Sequence, residues 1–211
     1  MTLYIASKNM RGAWARPPVE GCHKVDVTSA QSKGSLYRKG FSPMHVEEGR
    51  KYAAPDGDDY ACFEHWWQAR KVYRDVNHKK ANQWWRSQMK PKRRYPNSKG
   101  KRVLHALDPR KPGVQMGYVT SRKEIYIPDY LAKIKDTAGQ KALLKVKVEL
   151  EKGDVVIYDF DGPRNRDNEP LCREVTLELL KEKINDTTHP FGHGYVVAAE
   201  VLGVAPELYS V

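Results

Sequence analysis

Cysteine is scarce in this chain. Its 211 residues hold only Cys22, Cys62 and Cys172, far apart and odd in number, which excludes a disulfide framework. No CxxC pair and no His-x-Glu…PCxxC pattern occurs, so zinc-deaminase chemistry is set aside as well. Cys22-His23 stands without a partner pair, and no metal is expected. Such cysteine usage fits a reducing compartment. Long apolar runs are also missing, and no stretch is suited to crossing a bilayer. The opening MTLYIASKNMRG lacks the basic start, apolar middle and small-residue cleavage site of a secretory signal. A cytoplasmic protein is expected, in the host cytoplasm if a virus encodes it, with no membrane partner. Internal repeats and composition-biased linkers are absent too, so residues 1–211 read as a single domain.

What the chain has in excess is positive charge. The formal net charge is +11, unevenly distributed. Residues 1–120 carry 24 Lys and Arg against 10 Asp and Glu, whereas residues 121–211 carry 13 against 16. The basic part includes KPKRRYPNSKGKR, with Lys92, Arg93, Arg94, Lys99, Lys101 and Arg102 as candidate phosphate contacts. An ordinary solvated loop would also be lysine-rich, but the skew favours a polyanionic partner, with nucleic acid foremost. Ser7, Asn9 and Arg11 are weaker candidates for phosphate contact.

Periodicity outlines an α+β fold with more helix than sheet. Met1 to Ser7 alternates and predicts a strand, VDVTSAQ another, and PDGDDY a turn with Asp58 or Asp59 as a helix cap. A long helix is expected from Phe63 toward Met89, stopped by Pro91 and Pro96, with Trp66 as core anchor. A short helix from Asp129 toward Lys135 precedes a strand carrying Leu144, Val146, Val148 and Leu150 on one face. GDVVIYDF predicts a buried strand and Val175 to Ile184 a helix. The run from His189 closes with a Gly-rich turn and a buried apolar segment.

The most informative stretch is CFEHWWQARKVY. On one helix, Gln68 and Lys71 each fall within about 40° of Glu64, opposite Cys62, Trp66, Ala69, Tyr73 and Val76. Phe63 and Trp67 flank this polar stripe. Any amphipathic surface helix presents a polar face, so periodicity alone does not make a site.

The string Glu64-His65-x-x-Gln68-Ala69-x-Lys71 resembles the EHxxQAxK helix of the NADAR (YbiA-like) family. Phe41-Ser42-Pro43-Met44 is similar to that family's FSNF element, and KALLKV with GDVVIYDFD is similar in order to its LLxT…GDxxLVE region. The family's Trp-Gly after an acidic residue and its closing GxNxLG segment are absent. INDTTHPFGHG loosely resembles NDxxWGxG, which leaves Asp159, Asp161 and Asp186 as candidates for the family's acid. The resemblance implies a compact single NADAR-like domain, predominantly helical with a few short strands. It also implies removal of ADP-ribose or a related ribosyl group from nitrogen, without a cofactor. Relatives act on ribosylated pyrimidine intermediates of riboflavin synthesis, or free guanine modified by DarT-type DNA ADP-ribosyltransferases.

Residue by residue, the expected catalytic groups are Glu64, Lys71 and Asp161. Phe41, Ser42, His65, Trp67, Gln68, Asp159, Arg164 and His193 are the expected substrate contacts. The chemistry suits these residue types. Breaking an N-glycosidic bond develops oxocarbenium character, which a carboxylate stabilises or serves as proton carrier. An unprotonated lysine attacks the aldehyde of an opened ribose to form a Schiff base. Seven helical residues between Glu64 and Lys71 correspond to roughly 10 Å, within joint reach of one carbon. Gln68 between them is placed for a ribose hydroxyl, and Trp67 or Tyr95 for stacking on an extruded base. Charge separates the substrates: a long phosphate backbone, hence ADP-ribosylated DNA and toxin antagonism, suits the basic half better than a small metabolite. A non-catalytic nucleic-acid-binding protein is the alternative from another class.

Overall fold

The structure, a computed structural model, describes residues 1–9, 21–47, 49 and 51–209. It is an α+β fold in which helix predominates, as the periodicity predicts. The chain forms two compact units, Met1–Ser42 with Tyr130–Val211, and Pro43–Asp129.

The first unit is built on a four-stranded sheet of order β2-β8-β1-β9, comprising β1 (Leu3–Ser7), β2 (His23–Asp26), β8 (Val155–Asp159) and β9 (Cys172–Glu174). β1 and β2 flank β8 in parallel, with Leu3 and His23 both opposite Val155, and β9 runs antiparallel to β1. A central parallel strand is shut off from water on both faces, which is why all five residues of β8 are buried. Helices α1 (Leu36–Phe41), α6 (Thr137–Lys152), α7 (Leu177–Asn185) and α8 (His193–Leu202) complete this unit, with α9 (Pro206–Tyr209) at its end. α6 lies against α1, β2 and β8, and α8 against β8 and β1.

α6 corrects the strand expected over Leu144 to Leu150. Asp136 caps it, its carboxylate accepting from the Gly139 amide at 2.7 Å, and Gly153 ends it. Gly139, Ala142, Leu143 and Val146 form the buried stripe at helical spacing, whereas Leu144 is 65% exposed. The alternation of LKVKVEL was incidental to a helical period that begins before it.

The second unit holds a hairpin, β3 (Tyr52–Ala53) with β4 (Asp59–Tyr60), and an antiparallel sheet of order β5-β6-β7. Its strands are Lys71–Tyr73, Val103–Leu107 and Gln115–Met116. Between them run α2 (Phe63–Ala69), α3 (His78–Ser87), a 3-10 turn at Pro96–Ser98 and α4 (Tyr118–Ser121). A π-turn, Arg122–Tyr126, leads into α5 (Ile127–Ile134), which carries the chain back to the first unit. Among the described residues 42% are in helix and 17% in strand.

The long helix expected from Phe63 to Met89 is therefore two helices separated by a strand. α2 stops because tertiary partners take its last carbonyls. His78 Nε2 donates to Ala69 O at 2.9 Å, and the Leu107 amide donates to Arg70 O at 2.9 Å. Arg70 itself is buried, with its guanidinium 3.0 Å from Asp56 and donating to Tyr60 Oη at 2.9 Å. Lys71-Val72-Tyr73, β-branched and aromatic, then pairs with β6. α3 starts afresh at Asn77, whose side chain accepts from the Lys80 amide. Neither Asp58 nor Asp59 caps α2. Cys62 is its N-cap, with no capping bond from the side chain, and Asp58 pairs with Arg86.

No helix among the described residues is long and apolar enough to cross a membrane.

Candidate functional site

Glu64 and Gln68 lie on the half-buried face of α2, one turn apart, and touch as that spacing requires. Gln68 Nε2 donates to Glu64 Oε1 at 2.7 Å, while Gln68 Oε1 accepts from Tyr73 Oη at 3.2 Å. The amide is thus consumed at both ends, which gives Gln68 an orienting role beside the carboxylate. Burial raises the Tyr73 phenol pKa and Glu64 adds to this, while Arg94 and Ser98 pull against it. The chain Glu64–Gln68–Tyr73 thus ends at a phenol on which Arg94 and Ser98 of the basic segment act.

Lys71 is not on α2. It is the first residue of β5, and its Nζ lies 5.1 Å from the centroid of the Trp67 ring. The geometry of a shared helix face between Glu64 and Lys71 is accordingly withdrawn. What joins them is a helix-to-strand corner, with Gln68 bonded to Tyr73 on one side of it and Trp67 beneath Lys71 on the other.

Phe63 and Trp67 do not flank an open groove. They are 1% and 6% exposed and pack edge-on and tilted against Tyr126. Trp67 is a core residue capped by an amine, unsuited to stacking on an extruded base. His65 is likewise corrected from substrate contact to interior residue. It is fully buried beside Trp85, and its Nε2 accepts the Lys92 amide at 2.8 Å. Burial, with Lys92 assisting, pushes its pKa down to about 4, so the ring is neutral at physiological pH. Nδ1 then carries the proton and has no hydrogen-bond partner.

Lys92, Arg93, Arg94, Lys99, Lys101 and Arg102 are all exposed, as the solvated charge run anticipates. Their backbone is anchored: Lys92 by His65, Lys101 N–H on Ser98 O, Arg102 O accepting from Arg74 N–H, and Lys101 Nζ on Asp75 O.

The remaining expected residues belong to the first unit. Phe41 and Ser42 are fully buried at the end of α1, Phe41 O accepting from Tyr130 Oη and the Ser42 amide donating to Arg38 O. Burial removes both from direct contact with a ligand. Asp159, 1% exposed at the end of β8, accepts the Gly194 amide at 2.7 Å. His193 opens α8, its Nε2 donating to Val27 O at 2.9 Å and its Nδ1 lying 3.3 Å from Asp159. Gly192 and Gly194 are required there, since an added Cβ would come within 2.4 and 2.8 Å of Asp159 atoms. Asp159 and His193 thus brace the start of α8 in the interior. Arg164 donates to Asn168 O and approaches Ser7 Oγ at 3.5 Å, tying a loop to β1. Asp161 is exposed. Asp186 bonds Thr188 and His189; burial opposes but these bonds prevail, holding its carboxyl far below the usual range. Arg11 lies outside the described residues. Among the described residues no group of three or more His, Cys, Asp and Glu side chains is placed to hold a metal ion.

Tyr73 and Ser98 join the candidate site without having been singled out in the sequence. The signal for Tyr73 was the Lys-Val-Tyr strand pattern, masked by the reading of a continuous helix.

No curated protein and no solved structure matches the chain. A family model does, over residues 13–174, and by that match the chain belongs to DUF6939, a family of unknown function.

Proposed function

We propose that this protein is an N-glycosidase that removes ADP-ribose from a nucleobase in nucleic acid, with guanine in DNA as the preferred target. The observation that carries the reading is the corner of α2 and β5. It fixes the Glu64 carboxylate through Gln68 and Tyr73, sets the Lys71 amine beside Trp67, and brings Tyr73 under the influence of Arg94 and Ser98 in the exposed basic segment.

Glu64 stabilises positive charge at the anomeric carbon as the bond to nitrogen breaks; water adds to that carbon, its proton passes through Glu64 to the leaving base, and the hemiacetal of the released ADP-ribose opens to an aldehyde. The Lys71–Trp67 contact is one an ammonium makes, whereas attack on an aldehyde needs the free amine. Lys71 must therefore give up a proton and leave the indole face to form a Schiff base with the opened ribose. The resemblance to the NADAR family supports this assignment of Glu64 and Lys71.

The test uses oligonucleotides bearing ADP-ribosylated guanine. Wild type releases ADP-ribose; Glu64→Gln and Lys71→Ala each lose about 100-fold or more in turnover. Borohydride traps a covalent adduct with wild type and none with Lys71→Ala. Cleavage of a free ribosylaminopyrimidine, with the DNA left intact, would move the substrate to small metabolites. A second reading, a non-catalytic nucleic-acid binder, is favoured by the placement of Lys71 off the helix. It predicts no turnover on either substrate and undiminished binding by both variants.

A further inference from the structure

One surface of the second unit combines aromatic and cationic groups in a way that deepens the nucleic-acid part of the proposed function. Trp84 on α3 is half-buried, backed by the buried Trp85 with ring centroids 4.8 Å apart. Tyr95, also half-buried, meets Trp84 edge-to-face at 5.4 Å. Lys92, Arg93 and Arg94 lead into Tyr95, and Lys99 follows the 3-10 turn; all four are exposed. The turn is closed by Ser98, whose amide and hydroxyl donate to Tyr95 O at 3.0 and 2.9 Å. Lys92 is pinned from the other end by the buried His65.

We propose that Trp84, Tyr95 and this anchored basic segment form a binding platform for single-stranded nucleic acid. Aromatic faces take bases whose own faces are free, which a duplex does not offer, and neighbouring cations follow the backbone between them. Because the segment is held at both ends before any ligand arrives, binding forfeits little conformational freedom. Electrostatics supplies the affinity and counterion release makes it salt-dependent. The His65 ring is the positioning residue: it fixes where the cations stand relative to Trp84 and Tyr95. This rests on nucleic acid as the partner, yet needs no catalysis.

The experiment is fluorescence anisotropy with the full chain and an unmodified oligothymidylate of roughly 16 nucleotides, against a duplex of equal length and anionic phosphatidylserine vesicles. The single strand binds most tightly. Tyr95→Ala weakens it about 10-fold and leaves duplex binding as it was, and Lys92→Ala with Arg94→Ala lowers the salt slope by roughly one to two. Circular dichroism confirms that Tyr95→Ala folds; Tyr95→Phe, which keeps the ring, retains wild-type affinity. Equal affinity for duplex, preference for vesicles, or indifference to Tyr95→Ala overturns the platform. Tight single-strand binding without release of ADP-ribose would sink the glycosidase reading alone. Release of ADP-ribose by a chain indifferent to Tyr95→Ala would sink the platform alone.

Discussion

Replacing His65 by Gln tests how burial sets charge in the second unit. The buried ring has its pKa lowered from 6.5 to about 4, first by loss of water and then by Lys92. Between those values the unfolded chain binds a proton that the folded chain refuses, so stability falls as pH drops through that window. At 1.36 kcal/mol per pKa unit the loss is at most roughly 3 kcal/mol, less with partial hydration. Asp129 works in the opposite sense. Burial, against the opposing pull of Arg110, raises its carboxyl from 3.8 to about 6. Folded Asp129 is thus protonated where the unfolded one is not, and its contribution is present below 3.8 and lost as pH rises through 6. In wild type the two effects nearly cancel between pH 4 and 6. His65→Gln keeps an acceptor near the Lys92 amide and cannot titrate, so the difference between wild type and variant isolates the His65 trend from those of Asp129, His78 and Asp186. The assay is urea unfolding followed by tryptophan fluorescence from pH 7 to pH 4. The wild-type advantage over the variant should shrink by roughly 2–3 kcal/mol across that range. A difference independent of pH would refute the reasoning.

Gly139→Ala should be among the most damaging single-atom additions. Its Cβ would lie 1.9 Å from Ile134 O, so the start of α6 must shift, at a cost of about 3 kcal/mol or more in denaturant unfolding. Asp159→Ala leaves the buried Gly194 amide without its acceptor and should cost roughly 1–3 kcal/mol, with amide exchange at the start of α8 accelerated. Trp66→Ala removes a fully buried ring and should cost about 3–5 kcal/mol by the same unfolding measurement. Tyr73→Phe deletes one hydroxyl and should cost only about 1 kcal/mol, yet lower glycosidase turnover with little change in KM.

The elements that were legible are those whose pattern was decided locally. Leu3 and Ile5 alternate into the core, Val155 to Tyr158 form an apolar run because β8 is sandwiched, and Leu179, Leu180 and Ile184 mark the buried side of α7. Misreadings arose where tertiary contacts overrode a plausible period. Tyr73 and Val76 continue the apolar face of α2 on paper, but the chain turns at Arg70 because Asp56, Tyr60, His78 and Leu107 reach it or its neighbour. None of these partners is visible from the helix's own sequence. His65 was misjudged for a related reason: a polar residue beside Glu64 looks like part of the site until its acceptor is found holding Lys92. Asp159 and His193, expected as substrate contacts, have their hydrogen bonds taken up at the start of α8.

Moving Lys71 from a helix to a strand changes what must hold the candidate site together. Two groups on one helix keep their spacing through the helix itself, whereas groups on either side of a corner depend on whatever stiffens that corner. Among the contacts that do so, beside the hold of His78 and Leu107 on the end of α2, are Tyr73 Oη on Gln68 Oε1 and Lys71 Nζ over Trp67. The first also fixes the Glu64 carboxylate through the same amide, so orientation of the acid and of the strand is one event rather than two. The second is a contact the amine must abandon to react. The acid is then the prearranged partner and the amine the mobile one, which orders the proposed chemistry. Bond cleavage assisted by Glu64 comes first, and the amine is drawn off the indole only once an opened sugar presents an aldehyde to it.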